Sequence, residues 1–97
     1  MSSYTATVRW SRAGEGDFVK GQYSRAHQWE FDGGVTVPAS ASPHIVPAPW
    51  SDPGGVDPEE AFIASLSSCH MLFFVDFARR DGWVVDEYVD ETEGVLE

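Results

Sequence analysis

The sequence is poor in cysteine and in basic residues, and each shortage excludes a class of protein. Its 97 residues include one cysteine, Cys69, so no disulfide can form within the chain. Six lysines and arginines stand against 16 aspartates and glutamates, which gives a formal net charge of −10. Nucleic acids and anionic membranes attract basic proteins, so we expect neither as a partner. A single thiol without a disulfide framework is typical of the reducing cytoplasm.

Long apolar runs and metal-ligand patterns are also missing. The longest apolar run, residues 71–75, is far too short to span a bilayer. The N-terminus shows no charged segment followed by an apolar stretch, so we expect no signal peptide. His27, His44 and His70 match no metal-ligand spacing, and we expect neither a metal nor a cofactor.

The chain is instead rich in apolar residues, at 42%, and in aromatic residues, at 13%, which fits one small globular domain. Residues 4–10 and 23–31 alternate with a period of two, which is typical of β-strands. The second places Arg25 on one side with Tyr23, His27, Trp29 and Phe31. Asp32-Gly33-Gly34 predicts a tight turn into residues 35–37, and therefore a hairpin. Residues 83–89 alternate again and predict another strand.

A proline-rich loop and a long helix follow the hairpin. Residues 38–55 hold five of the six prolines, and the length of this loop favours a functional role. Asp57 as N-cap, Pro58 in the first turn and Glu60 three residues after the cap predict a helix start. The helix is predicted to end near residue 81, before Gly82. It presents a broad apolar face made of Phe62, Ile63, Leu66, Phe73, Phe74 and Phe77.

The acidic residues gather after this helix, within the last twelve positions, which we interpret as an exposed strand face and a tail. Few strands and one apolar helix leave apolar faces uncovered. We therefore expect a second copy of the chain to cover them in a homodimer.

Cys69 admits two interpretations. Free cysteines are most often small apolar residues of a core, and this one is too far from the helix N-terminus for the helix dipole to activate it. A reactive thiol would need a neighbouring cation instead. Arg25 and Arg9 are the candidates for that cation, with His27 and His70 as weaker ones.

Glu59 could orient such an arginine through a bidentate pair, or it could be an acid that the helix dipole favours in the first turn. It lies ten residues before Cys69, which on a straight helix is about 15 Å along the axis. One unbroken helix cannot bring the two side chains together. If both serve one site, the helix breaks or the two come from different subunits.

Residues 57–62, Asp-Pro-Glu-Glu-Ala-Phe, and residues 64–70, Ala-Ser-Leu-Ser-Ser-Cys-His, resemble the OsmC/Ohr family, the osmotically induced and organic hydroperoxide resistance proteins. Residues 23–34 and 78–83 look like the OsmC-like branch of this family. The resemblance runs from about residue 4 to residue 97. It implies an α+β fold with an N-terminal antiparallel sheet, a long central helix and an intertwined homodimer with sites at the subunit interface.

The resemblance also implies thiol peroxidase chemistry on organic or inorganic hydroperoxides, in an oxidative stress response. Cys69 matches the family's peroxidatic cysteine, and Glu59 matches the glutamate that pairs with the catalytic arginine. Arg25 is the match for that arginine. The candidates for an apolar pocket wall are Trp50, Phe62 and Phe73.

The sequence departs from the family at its end. Read as a single OsmC-like domain, residues 1–97 lack the later helix that carries the family's resolving cysteine. Three explanations stay open: the chain is a truncated product or a fragment, Cys69 is resolved by an external thiol, or peroxidase activity is absent. The alternative is a non-catalytic OsmC-like module for dimerisation or small-ligand binding, with Cys69 inert and buried. At this point the residues leave open whether the chain is an enzyme.

Overall fold

The computed structural model describes residues 2–96 and divides the chain into two compact units, which meet in sequence between Pro58 and Glu59. In the described residues, the N-terminal unit contains three strands and one short 3-10 turn, Phe18–Lys20. The C-terminal unit contains all but the first residue of a single long helix. An antiparallel sheet followed by a long helix confirms the predicted α+β class.

The strands are shorter than the alternation predicts: β1 is Ala6–Arg9, β2 is His27–Phe31 and β3 is Thr36–Ala39. β2 starts late because the N–H of Arg25 donates to the carbonyl of Trp50, at 2.9 Å, rather than to a neighbouring strand. The hairpin between β2 and β3 is confirmed. Gly34 has a φ of 96°, which favours glycine, and its N–H donates to Phe31 O at 3.0 Å.

The sheet has an apolar face and a polar face. The three strands are antiparallel in the order β1-β2-β3, and Trp29 in the middle lies between Val8 and Val37. On the polar face Arg9 Nε donates to both carboxylate oxygens of Glu30, each at 2.9 Å. This two-sided pattern is the one that the period of two predicts.

The loop after β3 is tied firmly to that strand. Ala39 is 2% exposed and forms an isolated parallel bridge with Val56. Ser40 is 0% exposed, and its Oγ accepts a hydrogen bond from the N–H of Asp52 at 2.9 Å. Buried hydroxyls with partners of this kind hold a loop that has no secondary structure of its own.

The helix, α1 (Pro58–Arg80), begins where the sequence predicts and ends one residue earlier. Gly82 follows with a φ of 85°, and the N–H of Trp83 donates to Ala78 O at 2.9 Å, which closes the C-terminus. By length and composition α1 could cross a membrane, although the sequence contains no long uninterrupted apolar run. One such helix is weak evidence for a membrane span, because core helices meet the same criterion.

The strand predicted at residues 83–89 is wrong. Residues 83–96 form no regular secondary structure and run back along α1. The Phe74 and Tyr88 rings lie 5.6 Å apart, and Ser67 Oγ donates to Asp90 Oδ2 at 2.5 Å. An extended segment becomes a strand only beside another strand that offers free backbone groups, and in residues 59–96 its neighbour is a helix. The acidic residues at positions 86–93 are exposed, as expected.

α1 keeps a large apolar surface in contact with solvent. No residue of the helix is buried within the chain. Spacings of three and four residues place an exposed apolar stripe along one side, which we call the α1 stripe. It consists of Phe62, Leu66, Cys69, Phe73 and Phe77. Exposed patches of this kind mark interaction surfaces in proteins.

Candidate functional site

Cys69 is free and exposed at the middle of α1. On the α1 stripe its nearest neighbours in sequence are Leu66, three residues before it, and Phe73, four residues after it. A small apolar oxidant can therefore reach the thiol, which is the first requirement for a reactive cysteine. The burial of Cys69 that the second interpretation expects is not observed among the described residues.

Glu59 is exposed in the first turn of the same helix. Because α1 is unbroken from Pro58 to Arg80, Glu59 and Cys69 stay about 15 Å apart along its axis. Ten residues of helix also turn the two side chains to within about 80° of each other, so both lie on the same side. The structure does not bring them together within one chain, and it removes the broken helix as an explanation.

Arg25 lies in the N-terminal unit, just before β2, and is half-buried. Its Nη1 donates to the carbonyls of Gly21, at 2.8 Å, and Tyr23, at 2.5 Å. Its guanidinium carbon stands 3.6 Å from the centre of the Tyr23 ring, a close cation–π contact. These three contacts hold the guanidinium in one place although Arg25 is not on the strand face that the sequence predicts.

Arg9, the other arginine that the sequence offers as a partner for the thiol, already has an acidic partner. Arg9 forms an ion pair with Glu30 on the polar face of the sheet, where its Nε–H is shared between the two carboxylate oxygens. Among the described residues of the N-terminal unit, Arg9 and Lys20 form ion pairs, and Arg12 and Arg25 form none. Arg12 is exposed, whereas Arg25 is half-buried and held in place, which makes Arg25 the better placed of the two for a ligand or a thiolate.

Arg25 lines an open cleft of about 440 Å³ that we call the aromatic cleft. The rings of Phe18 and Tyr23 lie 4.6 Å apart, and Trp10 lies 5.8 Å from Tyr23 and 6.2 Å from Phe18. Its principal lining residues are Val8, Trp10, Phe18, Tyr23, Arg25 and His27.

Trp10 and Phe18 are absent from the predicted pocket. The available signals were Trp10 at the end of the first alternating stretch and Phe18 as an apolar residue within a polar loop. Neither signal shows which distant residues the loop brings together.

The predicted pocket residues are divided between the two units. Trp50 is half-buried in the proline-rich loop, where its carbonyl accepts the N–H of Arg25. Phe62 lines a second cleft, of about 410 Å³, together with Glu59 and the end of the chain from residue 92 to residue 96. Phe73 is 64% exposed on the α1 stripe and stacks on Phe77 at 6.2 Å.

No metal centre is visible in residues 2–96, where no three His, Cys, Asp or Glu side chains gather in a possible ligand set.

The fold and these residues define a small α+β protein that carries one exposed thiol at the middle of its central helix. A solved structure of an OsmC-like protein of unknown function from Vibrio cholerae O1 biovar eltor is similar to it, with 52% identity and a TM-score of 0.95. The match covers 100% of this chain and 63% of that chain, so this chain spans less than two thirds of its length. No family model and no curated protein matches the sequence. The identity over the full chain and the shared fold show that the chain belongs to the OsmC-like family.

Proposed function

We propose that this protein is a thiol-dependent peroxidase that reduces organic or inorganic hydroperoxides, with Cys69 as the nucleophile. The observation that carries the proposal is the exposure of Cys69 on the α1 stripe of an OsmC-like chain. The stripe offers apolar contacts to the organic part of a hydroperoxide, and the thiol needs no rearrangement of its own chain to reach the O–O bond.

In the proposed reaction the Cys69 thiolate attacks the terminal oxygen of the hydroperoxide. The S–O bond forms as the O–O bond breaks, and the alkoxide takes up a proton and leaves as an alcohol. Cys69 is thereby oxidised to a sulfenic acid. An external thiol then displaces water to form a mixed disulfide, and a second thiol releases reduced Cys69. Cys69 is the single cysteine of these 97 residues, and the proposal therefore assigns the reduction to an external thiol.

Arg25 is the proposed electrostatic partner of this reaction. A guanidinium keeps its charge at every relevant pH, so it stabilises both the thiolate and the oxygen that leaves. Among the ion pairs that residues 2–58 form with one another, Arg25 has no acidic partner, whereas Arg9 is paired with Glu30. Glu59 is proposed to orient Arg25 through a bidentate pair.

The site is proposed to form between two copies in a homodimer. Two α1 helices that pair antiparallel, about a two-fold axis midway between positions 59 and 69, would place Glu59 beside Cys69 of the partner subunit. The same axis would pack Phe62, which is 64% exposed, against Leu66 of the partner subunit, which is 57% exposed. The pairing uses the exposed stripe and needs no break in α1.

The proposed setting is the cytoplasm, in an antioxidant role during oxidative stress. Low-molecular-weight thiols are abundant there and can serve as the external reductant. The formal charge of −10 favours neither nucleic acid nor an anionic membrane as a partner.

A turnover assay with an organic hydroperoxide and a dithiol reductant tests this function. We expect Cys69→Ser to abolish turnover and Arg25→Ala to lower it roughly 100-fold, as loss of an oxyanion-stabilising group does. Arg9→Ala is the matched control and should keep near-normal turnover, because Arg9 is already paired with Glu30. Undiminished peroxide consumption by Cys69→Ser would overturn the proposal.

Non-catalytic binding of a small ligand is the second candidate function, and the aromatic cleft is the observation that favours it. A concave site of about 440 Å³ with three packed rings and one arginine suits an apolar molecule with an anionic end. Titration of Cys69→Ser with an aromatic carboxylate, followed by tryptophan fluorescence, measures this binding. Two results together would favour this function over catalysis: saturable binding of the carboxylate by Cys69→Ser, and no consumption of peroxide by the wild type.

A further inference from the structure

His27 is held between two hydrogen bonds beside the aromatic cleft. Its Nε2 lies 3.1 Å from Nε1 of Trp29, and its Nδ1 lies 2.7 Å from the carbonyl oxygen of Arg25. His27 and Trp29 are two residues apart on the same face of β2, and their rings lie 6.3 Å apart. His27 is therefore in contact with the backbone of the arginine to which the proposed chemistry assigns a role.

The two contacts determine where the His27 ring carries its hydrogen. An indole N–H can donate but cannot accept, so His27 Nε2 must offer its lone pair to Trp29. The hydrogen of the neutral ring then stands on Nδ1, where it donates to Arg25 O. Trp29 thus selects one of the two tautomers, and the selected tautomer is the one that can hold Arg25.

Arg25 is fixed at its backbone as well as at its side chain. Its N–H donates to Trp50 O at 2.9 Å, and its carbonyl is the acceptor for His27. From this anchored backbone Nη1 donates to the carbonyls of Gly21 and Tyr23 while the guanidinium stands over the Tyr23 ring. A carbonyl released by His27 would let the guanidinium leave the aromatic cleft.

We propose that His27 is a positioning residue for Arg25 and that Trp29 keeps His27 in the tautomer that does this. The effect on catalysis rests on the proposed function, whereas the positioning of the guanidinium does not. Because Trp29 and His27 do not touch the peroxide in this scheme, they act through Arg25 alone.

Nuclear magnetic resonance of the full chain measures both the tautomer of His27 and the position of the Arg25 guanidinium over the Tyr23 ring. We expect the imidazole nitrogen shifts to show the hydrogen of His27 on Nδ1, and the Arg25 side-chain protons to be shifted upfield by the Tyr23 ring below them. Trp29→Phe should move the ring towards the Nε2–H tautomer and return the Arg25 protons towards ordinary shifts. The matched control is Trp83→Phe, at an indole that is 71% exposed in the other unit, and it should change neither signal.

Variants of His27 separate a positioning role from a simple loss of stability. His27→Asn keeps an N–H near the position of Nδ1 and should retain the upfield Arg25 shifts, whereas His27→Ala should lose them. In the turnover assay we expect Trp29→Phe and His27→Ala to lower the rate about tenfold, and to have no further effect in an Arg25→Ala background.

A hydrogen on Nε2 in the wild-type protein, or Arg25 shifts that do not respond to Trp29→Phe, would overturn the positioning role whatever the activity. If the shifts respond and neither the wild type nor any variant consumes peroxide, the positioning role is supported and the proposed function fails.

Discussion

At the residue scale, the Cys69 thiol and the Arg25 guanidinium differ in how far their surroundings restrain them. Cys69 is exposed, and none of residues 2–96 encloses it. Arg25 is held by two carbonyl acceptors and an aromatic ring, and its backbone is anchored on both sides. A fixed cation and an accessible nucleophile are the two parts that thiolate chemistry needs, and the chain supplies them from separate compact units.

Ser40 gives a test of how the proline-rich loop is held. Its hydroxyl is fully buried and accepts the N–H of Asp52 at 2.9 Å. Ser40→Ala should lower the free energy of unfolding by about 1–3 kcal/mol, because it leaves that N–H without a partner. Ser3→Ala, at an exposed position, should be close to neutral in the same denaturant titration. Equal stability of the two variants would contradict this view of the loop.

At the element scale, the end of the loop depends on a close backbone approach. A Cβ added at Gly55 would lie 2.9 Å from the carbonyl carbon of Ala39 and 3.1 Å from the N of Ser40. Gly55→Ala should therefore destabilise the protein by about 1–3 kcal/mol, since backbone atoms cannot move aside without breaking the Ala39–Val56 bridge. Gly33→Ala is the matched control, because a Cβ there meets nothing within 4 Å. Thermal unfolding measures both, and a neutral Gly55→Ala would refute the close contact.

The elements also show what the sequence could and could not predict. Local signals determine the ends of α1, where Pro58 and Gly82 act through their own backbones, and the prediction is accurate to one residue. The alternation at residues 83–89 shows that one side of the segment meets a surface, but it cannot show that this surface is a helix. The cluster of Trp10, Phe18 and Tyr23 depends on how the loop at residues 11–21 folds back, which is a long-range effect.

At the scale of the whole molecule, the α1 stripe is the feature that a second copy would explain. Stacked Phe73 and Phe77 and the neighbouring Leu66 are each more than half exposed in a helix without one buried residue. Burial of these side chains in a homodimer would remove them from water and would complete the proposed site.

An engineered cysteine tests both the dimer and its proposed axis. Glu59→Cys should form a disulfide with Cys69 of the partner subunit under mild oxidation, since the antiparallel pairing places positions 59 and 69 side by side. The product is a covalent dimer on a non-reducing gel. Glu60→Cys is the matched control, because the next residue points about 100° away around the helix, and it should crosslink poorly. Equal crosslinking by the two variants, or none by Glu59→Cys, would contradict the proposed axis.

The central claim is that Cys69 attacks a peroxide, and mass spectrometry of the protein after one equivalent of organic hydroperoxide tests it most directly. With a sulfenic-acid trapping reagent present and no reductant, we predict stoichiometric labelling of Cys69 in the wild type, much slower labelling in Arg25→Ala and a normal rate in Arg9→Ala. This measurement needs neither the external thiol nor full turnover. A Cys69 that stays a free thiol while the added hydroperoxide remains unconsumed would contradict the account.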